Sequence, residues 1–250
     1  MGDSEVLAEV LNRIERAHER VQSESGIRPV LLLDLDSTLY EVGPRTHHIL
    51  LEWSETAQAR EFYKVREALL KAESSHVGYS IGDTFGAIGL DVNDELVLQA
   101  QHEVKLFWAD RFFSNEYLKH DHAYPGAASF TQKAHELGAE VIYLTGRDEP
   151  RMGDGTRENL VRDLFPWNTP RTHLLMKPRA ELPDLEHKVN AQTYIRSRGG
   201  LIASFENEPP NVVALSQIFP EAMHVFVETV FSDHPALPQD GLYRIQGFQG

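Results

Sequence analysis

Apolar residues at Val6, Leu7, Val10, Leu11, Ile14, Ala17 and Val21 recur at helical spacing. Residues 4–24 are therefore predicted to form an amphipathic helix, capped by Asp3 or Ser4 and closed at Ser25-Gly26. The pattern then changes. Pro29–Leu35 is a short, nearly continuous Leu/Val run, the signature of a strand buried on both faces. Similar runs follow at Ala139–Leu144, His173–Met176, Leu201–Phe205 and His224–Val230, with a short candidate at Tyr243–Ile245. Helical patterns over 127–137, 156–164, 187–197 and 209–218 separate them. Strands alternating with helices at this spacing predict an α/β fold with a doubly wound parallel sheet. From Glu41 to Tyr124 the alternation stops. Two long helical patterns, His47–Ser74 and Asn93–Ser114, flank a connector, Val77–Leu90, that holds four glycines. This block reads as an α-helical domain, 41–123, inserted into a discontinuous core of 1–40 and 124–250.

Composition narrows the function classes. A chain of 250 residues can bury about 70–75% of its unfolded surface without staples. It has no cysteine, which excludes disulfides, thiolate metal sites and a cysteine nucleophile. A formal charge of −14 disfavours long nucleic acid as a partner, because most of the surface repels a polyanion. No apolar run approaches a membrane span, and Met1–Glu5 lacks the basic start of a signal peptide. The expectation is a soluble cytoplasmic protein with no membrane partner.

Ligands of open parallel sheets bind beyond the carboxyl ends of the strands. The residues there are Asp34 and Asp36 after the first strand, Thr145-Gly146-Arg147 after the second, and Glu206-Asn207-Glu208 after the fourth. Lys188 lies in the helix leading into that fourth strand. Carboxylates crowded together repel unless a hard divalent cation holds them. Carboxylates, a hydroxyl, a lysine and a metal are what phosphoryl transfer through an aspartyl phosphate requires.

The segment Val30–Leu39, with its Asp34-Leu35-Asp36-Ser37-Thr38 end, resembles the first motif of the haloacid dehalogenase superfamily. Val141–Arg147 resembles the second motif, with Thr145 standing 111 residues after Asp34, and Tyr124-Pro125-Gly126-Ala127 resembles a common lead-in. The resemblance spans about 28–230 and implies a Rossmann-like core with the helical block as a C1-type cap. It also implies roles. Asp34 would be the nucleophile, and Asp36 the general acid and base, its backbone carbonyl also binding Mg²⁺. Thr145 and the Gly146 amide would hold the phosphoryl oxygens, and a lysine would offset their charge. Lys188 is favoured for that lysine; Lys177, directly after the third strand, could instead grip substrate. Arg147 could orient its loop or contact phosphate. The second aspartate favours phosphate esters over haloacids.

The fourth motif departs from the superfamily's pattern, which has two aspartates, or Gly-Asp followed by a further Asp. Here either Glu206 or Asn207 would join Asp34 and Asp36 at the metal, with Glu208 and Asn211 in support. The implied function is a Mg²⁺-dependent phosphatase, a hydrolase of a small phosphorylated metabolite. The alternatives are a phosphotransferase or phosphomutase of the same superfamily, or a catalytically weak ligand-binding protein on this scaffold.

Other features have plainer readings. The twelve histidines include His47-His48 and His120/His122 but no spacing that suggests zinc. Met152–Arg157 resembles a phosphate loop without its lysine and reads as a turn with Thr156 capping the next helix. Phe107, Trp108, Phe112 and Phe113 read mostly as core of the helical block. The connector Val77–Leu90 reads either as a hinged specificity loop or as an ordinary linker.

Overall fold

The computed structural model describes residues 1–23, 26–233 and 241–249. Glu24, Ser25, residues 234–240 of the tail and Gly250 lie outside them. In chain order the elements begin with α1 (Asp3–Gln22), β1 (Pro29–Leu33) and β2 (Tyr40–Glu41). The helices α2 (Gly43–Ser54), α3 (Tyr63–Leu69), α4 (Ile81–Ala87) and α5 (Glu95–Phe112) follow, then β3 (His122–Ala123). The remainder alternates: α6 (Ala127–Glu136), β4 (Glu140–Asp148), α7 (Glu149–Arg162), β5 (Thr172–Lys177), α8 (Asp184–Asn190), α9 (Gln192–Arg198), β6 (Gly200–Glu206), α10 (Pro209–Ile218), β7 (Met223–Val227) and β8 (Tyr243–Ile245). Two compact units result, Met1–Tyr40 with Ala123–Gly250, and Glu41–His122.

The first unit is built on a six-stranded sheet of order β5-β4-β1-β6-β7-β8, parallel throughout. Alternate residues of β1 point to opposite faces. Leu31 and Leu33 join a core with Val6, Val10 and Ile14 of α1 and Phe130 and Ala134 of α6. Val30 and Leu32 pack on the other face with Ile195 of α9 and Leu215 of α10. Helices thus cover both faces, which explains why β1 is apolar at every position and why its first polar side chains appear only where it leaves the sheet.

The second unit is helical and has its own core, which includes Leu50, Trp53, Val65, Leu69, Phe85, Val97 and Val104. Its ends are tied by a fully buried ion pair, Arg45 Nε to Asp121 Oδ1 at 2.8 Å. Arg45 also donates to the Phe112 carbonyl and lies over the Phe112 ring. Phe107 and Trp108 pack against this core.

Several expected boundaries are corrected. The single helix over His47–Ser74 is broken: α2 starts earlier, with Pro44 in its first turn, and ends where Thr56 bonds the Trp53 carbonyl and the Ala59 amide. Such local side-chain bonds compete with the helix ladder. The connector Val77–Leu90 is not a free glycine loop, because Ser80 and Asp83 form a reciprocal capping box that starts α4 inside it. Of its glycines only Gly89 has a positive φ. Met152–Arg157 is helix interior, since Asp148 caps α7 by accepting from Arg151 N. The pattern 187–197 is two short helices, α8 and α9. Thr145, Gly146 and Arg147 lie within β4, which extends to Asp148 across a register irregularity with β5. The strand expected over His224–Val230 ends at Val227.

Candidate active site

β1, β4 and β6 are neighbours in the sheet, so the polar residues at their carboxyl ends are brought side by side. Asp34 continues the β1–β6 ladder, its amide donating to the Phe205 carbonyl. The chain then turns tightly: the amides of Thr38, Leu39 and Tyr40 all reach the Leu35 carbonyl, and Ser37 takes a left-handed φ of 58°. This turn leaves Asp34 buried and Asp36 partly open, with 31% of its side chain exposed.

Lys188 reaches into this turn from α8. Its buried ammonium donates to Asp34 Oδ1 at 2.7 Å and to Glu206 Oε2 at 2.6 Å. Asp184, one helical turn earlier, has Oδ2 at 3.8 Å from the same nitrogen. Lys177 is not part of this cluster; its ammonium donates to the Ala180 carbonyl. Glu206 Oε1 accepts from Glu208 N, and Glu208 Oε2 from the Ser232 hydroxyl.

Burial sets the electrostatics. It raises Asp34 above the ordinary carboxylate range, with Lys188 pulling the other way. Burial likewise pushes Glu206 up to about 8, against the pull of Lys188. Burial also works against the charge of Lys188, but Asp184, Asp34 and Glu206 outweigh it and hold the ammonium well above its usual range. Three carboxylates therefore crowd one cation in a water-poor site. Among the described residues no three His, Asp or Glu side chains are grouped so as to cage a metal ion by themselves.

The other expected residues fall into two groups. Thr145 is buried and its hydroxyl accepts from Arg147 N. Gly146 lies against Asp184, where a Cβ would run into Oδ1. Arg147, expected at the phosphate or on its own loop, is only 1% exposed. Its guanidinium grips the Asp36 carboxylate through Nε and Nη2, at 2.5–3.2 Å, and reaches the Thr156 hydroxyl through Nη1. Asn207 spends its amide group structurally, accepting from Thr38 Oγ1 and donating to the Val230 carbonyl.

Two partnerships were not anticipated. Asp184 sits four residues before Lys188 on one helix, a spacing that alone predicts a neighbour. Asn211 Nδ2 donates to its Oδ2 at 2.8 Å, while Oδ1 is buried with no hydrogen-bond partner. The Arg147–Asp36 clamp had no local signal, because the two residues are 111 positions apart.

No protein-family model matches the chain. A 107-residue stretch is 34% identical to the succinyl-CoA:(R)-benzylsuccinate CoA-transferase subunit BbsE of Thauera aromatica, covering 42% of this chain and 24% of that protein. The chain thus spans about a quarter of the curated relative it matches. Solved structures match over nearly the whole chain. A protein of Clostridium difficile, provisionally named a phosphatase, superposes with a TM-score of 0.56 at 12% identity, covering 87% of this chain and 94% of that one. Protein tyrosine kinase A of Mycobacterium tuberculosis gives 0.53 at 12% identity, covering 86% and 92%. A predicted phosphatase of Clostridium acetobutylicum gives 0.50 at 12% identity, covering 87% and 93%. At these identities the likeness is one of fold. The architecture that the haloacid dehalogenase resemblance implies, a parallel α/β core interrupted by a helical unit, is the one observed.

Proposed function

We propose that the chain is a Mg²⁺-dependent phosphatase that hydrolyses a small phosphomonoester through an aspartyl phosphate on Asp34. The observation that carries this reading is the buried Asp34–Lys188–Glu206 triad, built at the carboxyl ends of β1 and β6 by residues far apart in sequence. In the first step the Asp34 carboxylate attacks phosphorus, and the bond from phosphorus to the leaving oxygen breaks as the new acyl phosphate forms and Asp36 gives that oxygen its proton. Thr145 and the Gly146 amide, on the adjacent strand, are the donors for the phosphoryl oxygens. Lys188 offsets the charge gathered on nucleophile and phosphate. In the second step water attacks phosphorus, gives its proton to Asp36 and releases inorganic phosphate and free Asp34.

The donor chemistry fits a hard divalent cation. Carboxylate oxygens outnumber the single ammonium, and Asp184 Oδ1 is buried without a partner. Mg²⁺ keeps several waters and needs only one or two protein carboxylates, so the lack of a three-residue cage is compatible with it. Asp34, the Asp36 carbonyl and Glu206 would hold the ion; Glu206 is preferred to Asn207, whose amide is already engaged. When bound, the ion neutralises charge on the transferring phosphoryl group. The helical unit Glu41–His122 is proposed as the cap that selects the substrate.

The test is release of p-nitrophenol from p-nitrophenyl phosphate with Mg²⁺, with EDTA, and for Asp34→Asn. The expected result is turnover that requires Mg²⁺ and is lost in the variant. A folded wild type that neither turns over phosphate esters nor binds Mg²⁺ would favour the ligand-binding alternative. The shared fold of a protein named as a tyrosine kinase keeps phosphoryl transfer to a second substrate as the alternative reaction. Phosphate appearing on an added acceptor rather than in water would select it.

A further inference from the structure

We propose that Tyr194 is a nucleophilic tyrosine with its own base and orienting carboxylate, a modification site that accepts a phosphoryl- or sulfonyl-type group from an anionic donor. This second site lies at the end of the sheet opposite to Asp34 and does not depend on the phosphatase reading.

The sheet itself assembles the group. Glu140 opens β4, and His173 is the second residue of β5. Side chains two apart on a strand share a face, so Glu140 lies on the face of Ile142, the register partner of His173. α9 covers that face through Ile195, with the half-buried Tyr194 packed beside it. Three side chains then line up. Tyr194 Oη lies 3.1 Å from His173 Nδ1, and His173 Nε2 lies 2.8 Å from Glu140 Oε2. Glu140 is buried, and its other oxygen accepts from Arg28 Nη1. A carboxylate only accepts, so it fixes the ring proton on Nε2 and leaves Nδ1 to accept from the tyrosine hydroxyl. Nucleophile, base and orienting acid stand in the order that activates a weak hydroxyl. The strand from Glu140 to Thr145 sets this group about 17 Å from the candidate active site.

Two cations select the donor. The Arg28 side chain is 69% exposed while held on Glu140, and the Arg198 guanidinium lies 4.6 Å from the centre of the Tyr194 ring. In a chain with a formal charge of −14, a local pair of arginines favours an anionic electrophile. In the transfer, Tyr194 Oη attacks phosphorus or sulfur, and the bond to the leaving group breaks with its electron pair departing. The phenolic proton passes to His173 Nδ1. Glu140 is a positioning residue: it balances the imidazolium until that proton is released to water.

The experiment labels the full chain at neutral pH with 4-(fluorosulfonyl)benzoate and with the uncharged benzenesulfonyl fluoride. Peptide mass spectrometry reads the rate at each tyrosine, and Tyr63, 66% exposed, is the internal reference. Tyr194 is expected to react about 100-fold faster than Tyr63, the scale of a positioned general base. His173→Phe is expected to remove that advantage, and Glu140→Gln, which keeps the shape and an acceptor, to cut it about tenfold. A merely structural role has the opposite sign, because loosened packing exposes Tyr194 and raises its labelling. An unchanged or raised rate in either variant therefore overturns the inference. A wild type in which Tyr194 reacts no faster than Tyr63 overturns it without any variant, so misfolding of a variant cannot rescue it. Relative to Tyr63, Tyr194 is expected to favour the anionic probe over the neutral one by about fivefold, and Arg198→Met to reduce that preference. Equal probe ratios at the two tyrosines overturn the anionic donor.

Discussion

The ammonium of Lys188 and Oδ1 of Asp34, 154 residues apart in the chain, meet at 2.7 Å inside the protein. Among the described residues, Lys188 is the one basic group in contact with both Asp34 and Glu206 there. Removing one member of such a buried ionic group leaves the others uncompensated, at a cost of about 3–5 kcal/mol. Lys188→Met is therefore expected to lose activity by about 10³-fold or more and to lower stability by that amount. Urea unfolding with and without Mg²⁺ checks the second part. Unchanged stability would mean that Lys188 does not hold the two carboxylates.

At Gly146 β4 passes against the Asp184 side chain. A methyl group there would collide with Asp184 Oδ1, and overpacking of this kind costs about 1–3 kcal/mol. Gly146→Ala is expected to lower the melting temperature and the activity together. Adding Asp184→Ala to it should restore much of the stability, since the obstructing oxygen is gone. Additive losses in the double variant would show that the collision is relieved elsewhere.

His224 sets an acid limit on stability. Burial lowers its pKa below the ordinary 6.5, against a raising hydrogen bond to the Phe219 carbonyl, and its Nδ1 faces the buried Ser204 hydroxyl. The unfolded chain then binds a proton that the folded one resists. Its contribution is present above pH 6.5 and is lost as the pH falls toward the folded value, by at most about 1.4 kcal/mol per pH unit. Thermal melts between pH 7.5 and 5 should show a steeper decline for the wild type than for His224→Asn. Parallel curves would assign the acid sensitivity to another group.

What was legible in the sequence was whatever one strand or one helix turn encodes. The apolar run ending at Asp34 marked β1 because helices cover both faces of that strand. The polar residues beyond it marked the candidate site because ligands of open parallel sheets bind beyond the carboxyl ends of the strands. The preference for Lys188 over Lys177 followed from the superfamily resemblance, and in the structure it is Lys188, not Lys177, that donates to Asp34. Three features stayed hidden for physical reasons. The breaks between α2 and α3 come from single hydroxyl-to-backbone bonds, which barely alter the apolar period. The Arg147–Asp36 clamp and the Asn211–Asp184 bond join residues from different elements. Nothing in local pattern specifies such pairs before the sheet has formed.

The Tyr124 amide donates to the Leu39 carbonyl at 2.9 Å, so the α/β unit closes its own opening where the helical unit departs and returns. The helical unit does the same through Arg45 and Asp121. For a folding chain this double closure changes the search. An unstructured loop of this length carries a sizeable entropic toll before its ends can meet. A helical segment that has already collapsed on its own core presents the ends of the sheet-forming chain as near neighbours. In a chain whose helical unit collapses first, the insertion would act as a splint for β1 and β4, and the pairing at the centre of the sheet would become a shorter-range event.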